Sequence, residues 1–451
     1  MAEITTTVTQ TLEALLDSKK YGTLKDILVT LNGADIAALL SELPHNRISL
    51  LFRLLPKELA AETFVEMEPD VQEDLIRSFS DSELKEIVDE LYMDDAVDLV
   101  EEMPSNVVKR ILAQAEPETR RLINEMLKYP EDSAGSIMTT EYVELRPDMT
   151  TEDAIKHIRR TGIDKETVNV CYITDERRRL IGAVSIRSLI LAPEDNTMDQ
   201  IMEPNVISVT TQEDQESVAE CFAKYDFTAL PVVDGEGRLV GIVTVDDAID
   251  VLTDEATEDM EKMAAITPSD KPYLKLSVWS IFKSRIPWLL LLMVSATFTG
   301  SILTHFEGAL ASCIVLVSFV PMLMDTGGNS GGQASVTIIR GLSLHEIEFS
   351  DIFRVIWKEV RVAVLCGVAL AVVNFAKLML INHVGFSVSL VVCLTLVATV
   401  FTAKVVGCTL PILAKKIGFD PAVMASPFIT TIVDALSLLI YFAFARMLLG
   451  L

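Results

Sequence analysis

The sequence predicts a multidomain membrane protein with three parts: an all-α superhelical N domain, a duplicated α/β module and a polytopic α-helical transmembrane domain of five helices. The first observation is charge: of 65 acids and 38 bases in 451 residues, only 8 acids and 9 bases lie in residues 286–451. The second is that this C-terminal part contains apolar stretches of about 20 residues, the length that crosses a bilayer. The third is helical periodicity in the N-terminal part, followed by a repeated pattern of strands and helices.

Residues 1–285 carry almost the whole charge imbalance, with 57 acids against 29 bases. Such a field repels phosphate backbones and attracts cations, so it excludes nucleic acid as a partner and favours divalent cations. The six cysteines include no close pair, which argues against disulfides and against a thiolate metal site. No basic region followed by an apolar stretch opens the chain, so we expect no signal peptide and a cytosolic N-terminal part.

Residues 1–130 are predicted to form the acidic N domain, a series of short helices stacked as a small superhelix. Apolar residues recur there at helical spacing, and helix breakers interrupt them every ten to fourteen residues. The breaks fall at Asn32, Pro44, Pro56, Pro69, Asp81, Asp94, Pro104 and Pro117.

Residues 131–252 contain an internal duplication. Arg179-Leu-Ile-Gly-Ala-Val-Ser185 is repeated as Arg238-Leu-Val-Gly-Ile-Val-Thr244, and Ser136-Ile-Met138 recurs as Gln200-Ile-Met202. The run Gly241–Asp247, preceded by Leu-Pro-Val-Val-Asp, resembles a tandem pair of cystathionine-β-synthase-type (CBS) domains. Such pairs usually act as regulatory sensors and are not catalytic.

Residues 253–284 are predicted to form a connecting helix, broken near Pro268 and Pro272, and residues 285–451 a transmembrane domain. The predicted spans are Ile286–Thr304, Leu310–Ile339, Val362–Ile381, Phe386–Leu413 and Ala422–Leu449. Lysine and arginine flank the entry and alternate loops, so the positive-inside rule predicts a cytosolic N-terminus and an extracytoplasmic C-terminus.

Asp434 is the most informative residue inside a predicted span. A carboxylate at that depth costs about 2.5–3.5 kcal/mol unless it faces water or a partner, so it marks a functional site by default. Thr430 and Thr431 precede it by four and three residues, on the same helix face. The alternative is a structural aspartate bonded to a Ser, Thr or Asn of a neighbouring span.

A glycine- and amide-rich run, Val320–Ser335, ends the second predicted span and contains Asp325, Asn329 and Gln333. Lipid cannot satisfy such a polar backbone, so the run must pack against protein or line water. Two other interpretations stay open at this stage: a loop at the membrane face, and glycines that serve only close helix packing.

An acidic stripe occupies the predicted connecting helix, because its carboxylates are spaced three or four residues apart. Its members and neighbours are Asp246, Asp247, Asp250, Asp254, Glu255, Glu258, Asp259 and Glu261. Like charges at this spacing repel, so the stripe is either a solvated face or a site for divalent cations. Acids elsewhere that are candidates to share such cations are Glu62, Asp94, Asp98, Glu216 and Asp226.

Taken together, the domain order, the Pro…Thr-Gly-Gly-Asn-Ser-Gly-x-Gln run and the Asp-Pro-Ala…Pro-Phe…Val-Asp final span resemble the MgtE family of magnesium transporters over essentially the whole chain. The resemblance implies a homodimeric Mg²⁺ channel with Asp434 of each subunit in the pore. It also implies that cytosolic Mg²⁺, bound between the N, CBS and connecting-helix regions, closes the pore, with backbone carbonyls near Gly135 and Ala223 completing the ligand shells. Asp325 and Gly332 depart from the family pattern, so the role of Asp325 stays open.

Oxygen donors suit Mg²⁺, and no His/Cys cluster favours a softer metal, but the sequence does not separate Mg²⁺ from Mn²⁺ or Co²⁺. The CBS pair suggests ATP as an additional ligand. The second repeat has the Gly-x-x-Thr/Ser-x-x-Asp turn that contacts nucleotides in such domains, including Thr244, whereas the first has Ser185 and then Ser188 in place of the aspartate, with Arg187 able to meet a phosphate.

Two other classes of function compete with transport as explanations of the sequence. In a membrane-anchored regulator the helices only anchor a sensor, but a passive anchor needs neither Asp434 nor the glycine- and amide-rich run. An enzyme is not supported by any Ser/His/Asp, Cys/His or phosphate-cradle motif.

Overall fold

The computed structural model of the protein describes residues 11–269, 273–424 and 426–450. The first ten residues, where no signal peptide is predicted, lie outside the described residues, as does Pro272, where a break is predicted. The chain divides into two compact units, Met1–Leu252 and Thr253–Leu451.

Short helices make up the beginning of the first unit: α1 (Tyr21–Leu28), α2 (Gly33–Ser41), α3 (His45–Phe52), α4 (Lys57–Val65), α5 (Pro69–Ser78), α6 (Asp81–Val88), α7 (Met93–Glu102), α8 (Ser105–Gln114) and α9 (Pro117–Met126). The predicted breakers stand at helix starts: Pro56 is the N-cap of α4, and Pro69 lies in the first turn of α5, positions where a missing N–H costs little. Alternate helices such as α2 and α4 pack against each other. The predicted superhelix is confirmed.

The duplicated module follows, with two three-stranded sheets and short helices. Its elements are β1 (Val143–Leu145), α10 (Thr151–Thr161), β2 (Val170–Thr174), β3 (Leu180–Ser185), α11 (Ile186–Leu191), α12 (Met198–Ile201), β4 (Val209–Thr210), α13 (Gln215–Tyr225), β5 (Ala229–Val233), β6 (Leu239–Thr244) and the start of α14 (Val245–Met263). In each sheet the first pair of strands is parallel and the second antiparallel, with a bulge at the same place.

The two repeats exchange contacts symmetrically. The N–H of Thr139 donates to the carbonyl of Ile242 in β6 at 2.8 Å, and the N–H of Ala183 in β3 donates to that of Glu203 at 3.1 Å. Beside these bonds, a side chain added at Gly241 would overlap Met138. The segments that contain the repeated Ile-Met pairs are therefore the ones through which each repeat contacts the other.

The largest hydrophobic core of the first unit is shared by two of its parts, and the first repeat has a core of its own. The shared core joins the helical part, represented by Leu51 and Val97, to the second repeat, represented by Leu230 and Val243. The acidic N domain and the second CBS repeat are consequently packed together.

The second unit contains long helices: the end of α14, then α15 (Val278–His305), α16 (Glu307–Ser312), α17 (Val320–Ser343), α18 (Ile352–Leu380), α19 (Phe386–Lys416) and α20 (Ser426–Leu449). Within the described residues, four segments are long and apolar enough to cross a membrane, namely Val278–His305, Phe349–Leu380, Phe386–Lys416 and Ala422–Leu449. They correspond to four of the five predicted spans, with starts that differ by at most 13 residues, between Phe349 and the predicted Val362.

The second predicted span, Leu310–Ile339, is wrong as a single helix. α16 ends at Ser312, a 3₁₀ segment covers Ile314–Phe319, and α17 begins at Val320 with Pro321 in its first turn. Proline is favoured at a helix start and cannot donate a hydrogen bond to a preceding turn. Pro321 therefore lies in the first turn of α17, whereas the prediction had placed it in the interior of a span. α17 is the fifth long helix, and the count of five crossings stays a prediction.

Candidate functional site

α17 has two faces of opposite character. One face is buried and consists mainly of small residues, among them Gly327 and Gly331. The other carries Asp325, Asn329 and Gln333 at intervals of four residues, all exposed in the single chain. The glycine- and amide-rich run is thus the interior of a helix, which excludes the loop interpretation and assigns its glycines and its amides to different faces.

The glycine face lets neighbouring helices approach closely. A Cβ at Gly327 would lie 2.8 Å from Cγ1 of Val433 in α20, and a Cβ at Gly407 in α19 would overlap the backbone carbonyl of Gly331. Small residues at such crossings are the usual means of tight helix packing in membranes.

Replacing Gly407 by alanine is expected to destabilise the second unit by about 1–3 kcal/mol, the usual cost of overpacking, because backbone atoms cannot move aside cheaply. Gly300→Ala in α15 is the matched control, since nothing lies within 4 Å of a Cβ there. The measurement is the thermal midpoint of the purified protein in detergent. Equal midpoints for the two variants would contradict the close packing of α17 on α19.

Asp434 lies in α20 beside the polar face of α17. A cavity of about 120 Å³ is lined by Met324, Asp325, Gly328, Asn329, Thr430 and Asp434. The Oδ1 atom of Asp434 is buried and has no hydrogen-bond partner among the described residues. This disfavours the alternative of a structural aspartate bonded to a neighbouring span.

The cavity therefore combines two carboxylates, an amide and a threonine from helices distant in sequence. Two of the predicted pore-lining residues lie outside it: Gln333 is one turn further along α17, and the Thr431 hydroxyl donates to the carbonyl of Pro427 at 3.1 Å. All the polar donors are hard oxygen ligands, except the amide nitrogen, and this is the set that Mg²⁺ prefers while it retains several waters.

The sequence did not predict a buried ionic contact of the second unit. Lys404 of α19 is 6% exposed, and its Nζ lies 3.6 Å from Oε2 of Glu359 in α18. Lys404 lies within a predicted span, and a charged residue in an apolar span was the one sequence feature that could have indicated a buried ion pair there. The pair joins α18 to α19 directly beside the Gly407 crossing, and each charge neutralises the other.

The first unit contains an acidic cluster, which we define as Asp94 and Asp95 of α7, Glu166, and Asp246 and Asp247 of α14. Asp94 is only 8% exposed. Loss of hydration, followed by the charge of Asp247, raises the pKa of Asp94 well above its ordinary range. The helical part and the second repeat thus place like charges against each other.

The other members of the cluster are perturbed in the same direction. Burial, followed by the charges of Asp247 and Asp246, raises the pKa of Asp95 to about 7. Burial and Asp246 raise the pKa of Glu166 to about 8. The pKa of Asp247 rises to about 6, chiefly through burial, although the Thr244 hydroxyl donates to its Oδ2 at 2.5 Å.

Sequence reasoning found Asp94, Asp246 and Asp247 but missed Asp95 and Glu166. Asp95 was not predicted because it is adjacent to Asp94, and adjacent residues do not share a helix face. Glu166 lies between α10 and β2, where no periodic pattern marks it.

Asp98, also predicted, lies beside the acidic cluster on α7: loss of hydration, followed by the charges of Glu101 and Asp95, raises its pKa to about 7. The remaining predicted regulatory residues are more dispersed. Glu62, Ala223, Asp226 and Asp250 are exposed on α4, the C-terminal end of α13 and α14, and Glu216 is half-buried in the first turn of α13. Gly135 is buried, and its N–H donates to the carbonyl of Thr211 at 3.0 Å. Within residues 11–269, 273–424 and 426–450, no three His, Cys, Asp or Glu side chains form a closed group that could hold a metal ion.

The part of α14 that belongs to the second unit is tied down by ion pairs. Nζ of Lys262 lies 2.6 Å from Oε1 of Glu258 and 2.7 Å from Oδ2 of Asp420, which precedes α20. The Ser343 hydroxyl donates to Oδ2 of Asp259 at 3.5 Å. Two of the predicted stripe residues therefore contact lysine or serine, and Glu255 stays half-buried one turn earlier.

The nucleotide-type turns are present in both repeats. Thr244 bonds Asp247 as described, and in the first repeat Ser185 and Ser188 hydroxyls lie 2.9 Å apart. A cavity of about 470 Å³ between the repeats includes Ser185, Tyr172, Asp226 and Pro231 in its lining, but neither Arg187 nor Thr244. A cavity of this size accommodates a small organic ligand.

Comparison with protein families identifies three families that match the chain, in four segments. A family described as "Divalent cation transporter" (MgtE) matches residues 320–444, and the MgtE intracellular N domain matches residues 31–132. The CBS domain matches twice, at residues 134–195 and 198–254.

Individual proteins are similar over almost the whole chain. The magnesium transporter MgtE of Thermus thermophilus is 38% identical over 94% of this chain and 95% of its own length, and that of Bacillus subtilis is 33% identical over 96% and 95%. A crystal structure of the cytosolic domain of the Mg²⁺ channel MgtE in complex with ATP is 39% identical, covers 54% of this chain and 99% of that one, and superposes with a TM-score of 0.52.

Proposed function

The chain belongs to the MgtE family of magnesium transporters, membrane proteins that carry divalent cations and are not enzymes, and from this premise we propose that it is a Mg²⁺-selective channel for magnesium uptake. The observation that carries the proposal is the cavity at Asp434, where a buried carboxylate oxygen has no hydrogen-bond partner among the described residues. A buried carboxylate needs a counter-charge or a hydrogen-bond donor, and a hydrated cation supplies both.

The chemistry of the cavity favours a hydrated ion. Its volume of about 120 Å³ leaves room for a few waters of about 30 Å³ each. Mg²⁺ dehydrates reluctantly and needs only one or two carboxylates besides water. Asp434 supplies the principal charge, and Asp325, Asn329 and Thr430 bond the water shell. Mn²⁺ and Co²⁺ accept similar oxygen ligands, so we propose that they also pass, less readily.

We also propose that the channel is a homodimer with the pore between the two subunits. Asp325, Asn329 and Gln333 form a polar face that is exposed in the single chain, and lipid cannot solvate it. A second copy opposite this face would enclose a water-filled path and bring two Asp434 carboxylates to one ion. Exposed apolar residues of the first unit, Ile190 at 69% and Leu191 at 73%, are consistent with a further subunit contact.

The topology follows from the charges that flank the spans. The protein is proposed to be a multi-pass protein of the cell (inner) membrane with a cytosolic N-terminus and an extracytoplasmic C-terminus.

The test of transport is Mg²⁺ flux into liposomes that contain the purified protein, with Mg²⁺ inside the vesicles set low or high. Flux at low internal Mg²⁺ that exceeds the flux into protein-free liposomes supports the channel. Its absence in both conditions would instead favour a membrane-anchored sensor.

We further propose that cytosolic Mg²⁺ closes the pore by binding at the acidic cluster. The carboxylates of α7 and α14 repel one another, and a divalent cation with its waters would relieve that repulsion and favour the compact arrangement. An ion shifts this equilibrium only if it binds the compact state better. α14 continues from the cluster into the second unit, where Lys262 bonds Asp420, so it is the element through which the signal would pass.

The raised pKa values predict how stability depends on pH. Asp95, Glu166 and Asp247 have folded pKa values of about 7, 8 and 6, above their unfolded values near 4, so the folded state binds more protons between these limits. Without divalent cations, the unfolding temperature of residues 1–252 is therefore expected to rise as the pH falls from 8 to 5. Each kcal/mol gained in the free energy of unfolding corresponds to a rise of about 2–4 °C.

Mg²⁺ should replace the protons in this role. We expect it to raise the unfolding temperature more at pH 8 than at pH 5, with sodium chloride of equal ionic strength as the control. The fragment is a reasonable subject because the cytosolic domain of a relative has been crystallised alone. A Mg²⁺ effect that is equal at both pH values would contradict cation binding by the cluster.

Adenine nucleotide is a second proposed ligand, at the cavity of about 470 Å³ between the repeats. The relative's structure contains ATP, and Ser185 in the lining is part of the first nucleotide-type turn, with Arg187 next to it. Isothermal titration with ATP tests this. Binding that is unchanged in a Ser185→Leu variant would exclude the cavity.

A further inference from the structure

A cavity of about 230 Å³ lies in the second unit, where the C-terminal ends of α17 and α19 meet the segment that leads into α18. Its lining includes four apolar side chains, those of Leu342, Ile347, Phe349 and Ile412. The N–H of Ile347 donates to the carbonyl of Gly341 at 2.9 Å, so this segment folds back over the end of α17. The cavity shares no residue with the one at Asp434 and is therefore separate from the candidate ion site.

Two lysines end α19 beside this cavity. Nζ of Lys415 donates to the carbonyl of Leu342 at 2.8 Å, and Nζ of Lys416 lies 3.6 Å from the ring centroid of Phe349. An ammonium group has three donors, so Lys415 keeps two of them, and Lys416 donates to no other described residue. Glu348, the only carboxylate of the lining, forms no ion pair with either lysine. The cavity therefore combines an apolar wall with two ammonium groups that have no counter-charge among the described residues.

The same end of the helix bundle has the character of a membrane interface. The start of α18 packs on the end of α19, because Ile356 joins the small core that contains Leu342 and Ile412. On either side of Ile356 along α18, Phe353 is 83% exposed and Trp357 is 62% exposed. Tryptophan is enriched at the level of the lipid headgroups. The cavity thus lies where the helices leave the apolar layer, on the side that the proposed topology makes cytosolic.

We propose that this cavity binds an anionic phospholipid of the cytosolic leaflet. The phosphate group accepts hydrogen bonds from Lys415 and Lys416, and the first methylenes of an acyl chain lie against Phe349 and Ile412. Basic pockets between transmembrane helices on the cytoplasmic side suit such headgroups, and the cytoplasmic leaflet carries the anionic lipids. The volume is below the range of about 300–1,000 Å³ for sites that enclose a whole small molecule, so most of the lipid stays in the bilayer.

A bound lipid would act on α17 through Lys415. That lysine also bonds the carbonyl of Leu342, in the last turn of α17, so a phosphate that holds its ammonium group would fix the end of α17 on the end of α19. α17 carries Asp325 and Asn329 at the candidate ion site. The lipid is thus proposed to stabilise the helix that lines that site.

The test is equilibrium binding of dioctanoyl phosphatidylglycerol to the full-length protein in detergent, measured by native mass spectrometry. Lys416→Met keeps the aliphatic stem on Phe349 but removes the charge, and it is expected to weaken binding by about tenfold, because a hydrogen bond to a charged group is lost. Should this variant fail to fold, Lys415→Gln takes its place, since glutamine still offers a donor to the carbonyl of Leu342.

Lys358→Met is the matched control. Lys358 is exposed near the start of α18 and lies outside the lining, so the same change of net charge there should alter binding by less than about twofold in buffer of physiological ionic strength. Equal weakening by Lys416→Met and Lys358→Met would assign the binding to overall charge and overturn the proposal.

Two further probes separate a lipid from its parts. Dioctanoyl phosphatidylcholine has the same chains without net charge, and glycerol phosphate has the anion without chains, so both are expected to bind at least about tenfold more weakly than phosphatidylglycerol. Equal binding of phosphatidylcholine would overturn the anionic headgroup, and equal binding of glycerol phosphate would identify a site for a soluble phosphate and overturn the lipid. The leaflet rests on the proposed topology, but the binding assay involves neither topology nor Mg²⁺ flux, so its failure and that of the channel are distinguishable.

Discussion

Replacing Asp434 by asparagine is expected to reduce Mg²⁺ flux to the level of protein-free liposomes. Asparagine keeps the shape of the side chain but removes the charge from the oxygen that has no protein partner. An amide in the same place would leave the hydrated cation without the buried carboxylate of the cavity, and the barrier to entry would rise steeply. The measurement is the initial rate of Mg²⁺ entry at low internal Mg²⁺.

Two aspartates of the second unit serve as controls for this variant. Asp325→Asn should reduce the flux without abolishing it, because Asp325 is exposed at the edge of the cavity and is proposed to act through the water shell of the ion. Asp351→Asn should leave it unchanged, since Asp351 lies outside the cavity and makes only local contacts, an ion pair with Arg354 at 2.9 Å and a cap on the N–H of Glu348 at 3.5 Å. Undiminished flux in the Asp434→Asn protein would remove Asp434 from the conduction path.

Local sequence patterns predicted the first unit well, because its helix starts and its duplication depend on interactions between residues close in sequence. Prolines such as Pro56 and Pro69 cannot sit in helix interiors, so they marked helix starts that the structure confirms. The duplication was visible because both repeats need the same glycine, Gly182 or Gly241, to admit a methionine from the other repeat. Because both repeats have this packing requirement, the same glycine and methionine occur in each of them.

The candidate sites were predicted less completely, because they depend on contacts between distant segments. Asp434 was marked by its depth in an apolar span, but its proximity to Asp325 and Asn329 required the packing of α17 on α20. The ion pair of Lys404 with Glu359 could not be predicted from either residue alone, because it depends on the packing of α18 on α19. Glu166 joined the acidic cluster only through the fold of the first unit.

Neutralising the acidic cluster is expected to leave a flux that high internal Mg²⁺ no longer suppresses. The variant is Asp94→Asn with Asp247→Asn, which removes the two charges that oppose each other between α7 and α14. A typical coupling of 1–3 kcal/mol would give the unaltered protein a suppression of about 5- to 150-fold, and the variant should fall below about twofold. The assay uses vesicles in which the N-terminal part faces the lumen.

The control for this variant is Asp26→Asn with Asp35→Asn, an equal change of charge at exposed positions of α1 and α2. Long-range charge alone would make the two double variants equivalent, because the net charge changes by the same amount in both. Local cation binding predicts that only the Asp94 and Asp247 variant loses suppression, since a screened exposed carboxylate contributes little. Normal suppression in that variant would place the regulatory ions elsewhere, and the lower part of α14, at Glu258 and Asp259, would then be the next segment to neutralise.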